Sequence, residues 1–433
     1  MNLVKIYPRL ERRIRNSLYW LNPAILTFLI CVLLIKVTGY QDAETVIQAS
    51  SSLARRINPY ENEFFLNGYP LAIPARIYNA VFPVTTGARM YVLFNIALIS
   101  FLVWDLLERR TLRKVLPVLI LVLASSPTRA MAASVQHTGV ILGCSYFAYR
   151  IACSWRAHTN FQKSLKYTFV SFLLLIPMEL KPQLMLPLIV MFIFHPIFRK
   201  YTISSLILAL ILHGTISFFL QMPLDKYWLE RLISRSSETT GKESRENSPW
   251  TLIGEVFGHS KIWLGFSSML FIALIIGLVF ITRGKSLKTI HFLLAFTIPL
   301  ILSYIHPYDL ILSVIVVAST FASDSKPRGG AFLIALFIFP TLGLDLLSLF
   351  FSILVLLLVW YTLGTRFGHW REDGLEVISS LLIYLAINLF AHDLGLRVNI
   401  HMSVLILGSL IYVGVRFVIP FLRHEETESP EVH

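Results

Sequence analysis

Apolar residues run along this chain in long windows, parted by short clusters of charge, and most windows are apolar all round and not on one helical face. Windows of roughly 15–22 residues are long enough to cross a bilayer as helices. They lie near 21–38, 88–107, 115–126, 132–154, 167–178, 182–198, 201–220, 262–282, 289–304, 309–323, 330–343, 345–364, 375–391 and 399–420. The pattern predicts an all-α polytopic membrane protein of about 12–14 transmembrane helices. The segments 115–126, 167–178 and 330–343 are short enough to be broken, tilted or re-entrant. No fixed period recurs, so 1–433 reads as one integral membrane domain.

Composition agrees with the pattern. The chain is 55% hydrophobic and 15% charged, with a mean hydropathy of +0.67, far from the balance of a soluble domain. The first window lacks a small-residue cleavage site and is read as a retained helix. Cys31, Cys144 and Cys153 sit in apolar windows at no metal-ligand spacing, so they are expected in the core. A net charge of +13 could point to nucleic acid, but the basic residues stand in short clusters between windows. Their placement instead sets orientation. With the N-terminus inside, about 23 basic side chains fall on the cytoplasmic side. Both termini are then cytoplasmic, the acidic tail 424–433 included, in a chain integral to the plasma membrane.

The outer face receives a first loop at 39–87, a long loop at 221–261 and several short turns, and the unusual polar residues gather there. Asp42 and Glu44 follow the first window; each either starts an interfacial helix or, for Asp42, serves as a general base. Pro59, Pro70, Pro74 and Pro83 forbid one continuous helix in the first loop and favour short interfacial helices. Glu179 and Lys181 stand where one window ends, with Pro182 placed to open the next. "SYIHPYDLIL" puts His306, Tyr308 and Asp309 between two windows. Asn247 reads as a helix cap or a site residue, and Gln136 is expected a short way into a span, where an unpaired amide is expensive.

In order along the chain, an acid after the first window, "NPYENEFFLNGYPLAIP", "VQHTGVILG", "ELKPQLMLPL", "ENSPWTLIGEVFG" and "IHPYDLIL" resemble the family-87 polyprenyl-phosphate-sugar-dependent glycosyltransferases. That family comprises membrane enzymes of the C-type fold, including mycobacterial mannosyltransferases of phosphatidylinositol mannoside synthesis. The likeness spans about residues 40 to 310 and departs from the family at Leu71 after Tyr69-Pro70, at Val135 before Gln136 and at Ser248 after Asn247. It implies that a hexose or pentose, mannose first, passes from a polyprenyl-phosphate donor to a lipid or glycan hydroxyl at the extracytoplasmic face, with inversion. Asp42 would be the base, and Lys181 and His306 would hold the donor phosphate, with Arg55, Arg56 and Arg129 as further cations. Glu44, Tyr69, Gln136, Glu179, Asn247, Tyr308 and Asp309 would bind substrate or support the site. The cations take the place of a tightly bound metal, so no cofactor is expected, although a divalent ion is a possible substitute. Membrane lipids are the remaining partners.

Two other classes share parts of this pattern. A polysaccharide polymerase or ligase would lean on Arg231, Arg235 and Arg245 of the long loop. A secondary transporter would carry paired interrupted helices with ionisable groups at the membrane midplane.

Overall fold

The computed structural model describes residues 22–35, 37, 41–61, 68–107 and 112–239, with isolated positions within 269–280 and 309–315. Among the described residues there are helices and turns and no strand. The helices are α1 (Asn22–Ile35), α2 (Gln41–Ala54), α3 (Ala72–Val81), α4 (Val84–Leu106), α5 (Leu112–Ala124), α6 (Ser126–Ala133), α7 (Thr138–Ser154), α8 (Asn160–Leu180), α9 (Pro182–Phe194), α10 (Arg199–Leu220) and α11 (Leu224–Thr239). Within α4 and α10, stretches of 22 residues are long and apolar enough to cross a membrane. At 1.5 Å per residue each reaches about 33 Å, the thickness of a hydrocarbon core.

The chain divides into two compact units, and the site described below lies in the one formed by Val37–Leu102 and Met131–Asp309. In it α8 packs against α7, α9 and α10, and α2 packs against α3. The first loop folds as the prolines require. Short 3-10 turns at Pro59–Glu61 and Tyr69–Leu71 carry the chain from α2 into α3. Ala49, Leu53, Tyr60, Tyr69 and Ala72 from this loop bury themselves against Ile216 of α10 and Leu224 of α11.

Several boundaries differ from expectation. The short window at 167–178 lies inside α8, whose 21 residues begin at a capping box built by Thr159 and Gln162. The window at 132–154 is two helices, because Val135 takes a left-handed φ of 54° and ends the helical run. Gln136 is therefore in the turn before α7 and not within a span. Its backbone N–H still donates to the Met131 carbonyl at 2.9 Å. The long loop from 221 contains α11, which no apolar window announced because its residues are mostly polar. Of the three cysteines expected in the core, Cys144 is buried while Cys31 and Cys153 are exposed. Helices in this chain turn apolar side chains outward as well as inward, so an apolar window does not place a residue in the core: Leu210 is 72% exposed and Phe218 79%.

Candidate functional site

The joint between α8 and α9 organises the site. Pro182 clashes with helical backbone at the residue before it, and it suits the first position of a new helix. Lys181 accordingly leaves the helical region, at φ −150° and ψ 79°, and serves as the cap of both helices. Its N–H donates to the Pro177 carbonyl at 3.1 Å, and its carbonyl accepts from Met185 at 3.1 Å. The break aims the ammonium inward, where Lys181 Nζ meets Asp309 Oδ1 at 2.5 Å with both residues 7% exposed. Two residues named separately in the sequence, 128 apart, form one buried ion pair.

A second polar cluster begins two residues earlier, at Glu179. The Glu179 carboxylate is 3.0 Å from His213 Nε2 of α10, and His213 Nδ1 is 2.7 Å from Asp225 Oδ1 at the start of α11. To donate to both carboxylates the ring must carry a proton on each nitrogen. The three acids and bases do not converge on one point, since the imidazole stands between the carboxylates; among the described residues no cluster of such groups is arranged to hold a metal. Tyr69, fully buried, closes the cluster: its hydroxyl lies 3.0 Å from Asp225 Oδ1, 3.0 Å from Ser217 Oγ and 2.9 Å from the His213 carbonyl. Its ring packs on His213 at 4.5 Å between centroids.

Gly68 docks the first loop onto this cluster. Its N–H donates to the Glu179 carbonyl at 2.8 Å, and a Cβ there would stand 1.9 Å from Glu179 Oε2. The constraint is steric, because the backbone at φ −59° and ψ 133° suits any residue. Gly68→Ala is expected to lower stability by about 1–3 kcal/mol through overpacking, read as a drop in melting temperature. Glu179→Asp, one methylene shorter, should recover part of the loss in that background.

Burial also governs two phenols in the loop. It raises the Tyr60 hydroxyl well above the ordinary value of 10.0, with Tyr69, Glu179 and Asp225 adding negative charge nearby. Burial raises Tyr69 as well. The folded chain thus keeps protons that the unfolded chain releases, so this contribution is whole below about pH 10 and is lost as the pH climbs beyond it. Melting temperature should fall above about pH 10, and less steeply in Tyr60→Phe than in the parent chain.

Leu180 also lines an apolar cavity of about 310 Å³, together with Leu71, Tyr78, Phe82, Tyr91 and His137 among others. His137 caps α7, and its Nδ1 is 2.6 Å from the Tyr91 hydroxyl. Asn95 ties α4 to α7 here, accepting from the Val140 N–H at 3.0 Å and donating to the Tyr91 carbonyl at 2.9 Å.

Of the residues singled out from the sequence, Tyr69 meets Glu179 through Gly68 and His213, and Lys181 meets Asp309. Gln136 is buried beside the cavity's Val135 and His137, and Glu44 is exposed on α2. Asp42 falls in the first turn of α2, one residue inside the helix and not at its cap, and its side chain is outside the described residues. Asn247, His306 and Tyr308 are outside them too. His213 and Asp225 were not singled out. A lone histidine within an apolar window is a signal of intramembrane chemistry, but its carboxylate partners are 34 and 12 residues away and no spacing rule links them. Compared with protein-family models, with curated proteins and with solved structures, the chain matches none.

Proposed function

We propose that the chain is an integral membrane glycosyltransferase of about 12–14 helices with a C-type arrangement. It moves a hexose or pentose, mannose first, from a polyprenyl phosphate to a hydroxyl of a lipid or glycan acceptor at the extracytoplasmic face of the plasma membrane. The observation that carries the reading is the buried Lys181–Asp309 pair at a broken helix joint. A lysine costs several kcal/mol to bury, and a fold that needed only a joint could use an apolar residue there. Held by Asp309, the ammonium is oriented before substrate arrives. A phosphate that displaces the carboxylate then finds a fixed cation in a place of low dielectric. The two membrane-length helices and the outward apolar faces support the bilayer setting.

In the reaction, the bond between the anomeric carbon and the phosphate oxygen breaks and the acceptor oxygen forms the new bond from the opposite face. The acceptor's proton passes to the Asp42 carboxylate, while the departing phosphate keeps the electron pair and gains the charge that Lys181, joined by His306, offsets. Glu179, fixed by His213, holds the Gly68–Tyr69 turn beside the joint. The test is transfer by the purified full-length chain, using a panel of polyprenyl-phosphate sugars and membrane-lipid acceptors. Sugar should appear on an acceptor with at least one donor, and silence across the panel would sink the reading.

One feature favours a second reading: a helix interrupted at a buried ionisable pair is also how secondary transporters build their sites. Gradient-driven uptake into proteoliposomes, with no transfer chemistry, would select it.

A further inference from the structure

The α2–α3 hairpin carries a site that the transfer reaction does not use. Between the two helices is a recess of about 450 Å³, lined by Ser50, Ser51, Arg55, Arg76 and Asn79 among others, with no acid among the described residues of its wall. Neither guanidinium meets a carboxylate among the described residues. Ser51 is occupied, donating to the Ile47 carbonyl at 3.1 Å. Ser50 is not: it is only 4% exposed and its hydroxyl has no partner. A buried, unpartnered hydroxyl costs about 1–3 kcal/mol, and Ser50 lines the recess beside two guanidiniums that meet no acid among the described residues.

The recess adjoins the apolar cavity described above, with Ile47 and Asn79 lining both. Pro74, Ala75, Tyr78 and Phe82 of the α3 segment form the apolar wall. On its outward side α3 presents Ile73, Ile77 and Val81, each four residues on from the last and all exposed. A water-soluble anion would have no use for either apolar surface. The geometry points to one ligand that is anionic at one end and apolar at the other.

We propose that this hairpin binds an anionic phospholipid of the surrounding bilayer. The phosphodiester sits between Arg55 and Arg76 and accepts from Ser50 and the Asn79 amide; one acyl chain fills the cavity toward Tyr91, and the other lies along Ile73, Ile77 and Val81. Two guanidiniums match a phosphate better than one and disfavour a headgroup that adds its own cation. The site is independent of the transfer chemistry and would stand if that reading failed.

Native mass spectrometry of the full-length chain in neutral detergent tests it, with dioleoyl phosphatidylglycerol and dioleoyl phosphatidylcholine as probes. Phosphatidylglycerol should bind saturably and about tenfold or more tighter than phosphatidylcholine. Ser50→Ala should weaken it about tenfold, the value of one hydrogen bond to a charged group. If Ser50 were merely structural, deleting its hydroxyl would leave binding unchanged. The double variant Arg55→Gln/Arg76→Gln should erase the preference for the anionic lipid, and Ala75→Phe, which intrudes on the cavity, should weaken both lipids. Lys181→Met/Asp309→Leu should leave phosphatidylglycerol binding as it was. Equal affinity for the two phospholipids, an unaffected Ser50→Ala, or a polyprenyl phosphate that occupies the recess in preference to phosphatidylglycerol would each overturn the proposal.

Discussion

Asp42→Asn is expected to insert and fold as the parent chain does and to slow sugar transfer by about 10²–10⁴-fold. Asp42 lies in the first turn of α2, where a carboxylate gains about 0.3–1 kcal/mol from the helix dipole. Asparagine forfeits that gain but keeps the size and the acceptor oxygen, so stability should move by no more than this amount. The rate is another matter. A general base must accept a proton from the acceptor hydroxyl, and an amide cannot. Glu44→Gln serves as the comparison, because Glu44 is exposed on the same helix and two residues further along; it should transfer sugar at close to the parent rate. Turnover of the purified variants decides the matter. An Asp42→Asn chain as active as Glu44→Gln would leave Asp42 a helix-start residue and nothing more.

Lys181→Met is expected to destabilise the chain by about 3–5 kcal/mol, since it takes the ammonium away from the buried Asp309 carboxylate. The pair lies at 2.5 Å with both side chains shielded from solvent, so water cannot substitute for the lost ammonium. Lys181→Met/Asp309→Leu removes both charges and should recover most of that stability, because apolar replacement of a buried pair is often neutral or favourable. Thermal unfolding of the two variants beside the parent reads this directly. If stability were all the pair provided, the double variant would also recover transfer. On the present account it remains inactive.

How far the sequence carried differs from helix to helix. The windows expected near 88–107 and 201–220 correspond to α4 at Val84–Leu106 and α10 at Arg199–Leu220, because long apolar runs have one solution. Pro182 likewise announced the α8–α9 joint, since proline constrains the residue before it and suits a helix start. The turn at 134–137 gave no such sign. Val135 carries a left-handed backbone that its own side chain disfavours, and only the packing around it selects that state. α11 escaped because a polar helix held at one end by Leu224, Tyr227 and Trp228 has no long apolar window.

The candidate site was legible as residues and not as pairs. Lys181, Asp309 and Glu179 stood out by sitting at window ends, where polar groups are conspicuous against apolar runs, and Tyr69 through the motif that resembles the glycosyltransferase family. The pairing of Lys181 with Asp309 did not, nor did His213 as the partner of Glu179, because ion pairs closed over 128 or 34 residues depend on helix packing and leave no local spacing. The demand for glycine at position 68 was invisible for the same reason: it comes from a carboxylate 111 positions later in the chain, at Glu179, and not from the backbone of Gly68 itself.

The measurement that tests the central claim most directly is the affinity of a polyprenyl phosphate, the product left after transfer, for the parent chain and for Lys181→Met/Asp309→Leu. Both proteins are expected to fold, so a difference reports on the phosphate and not on stability. The double variant is expected to bind at least about tenfold more weakly, the loss of one charge-assisted contact, while the parent binds saturably. Equal affinities would contradict it, for they would mean that the buried lysine at the α8–α9 joint holds the fold together and never meets the phosphate.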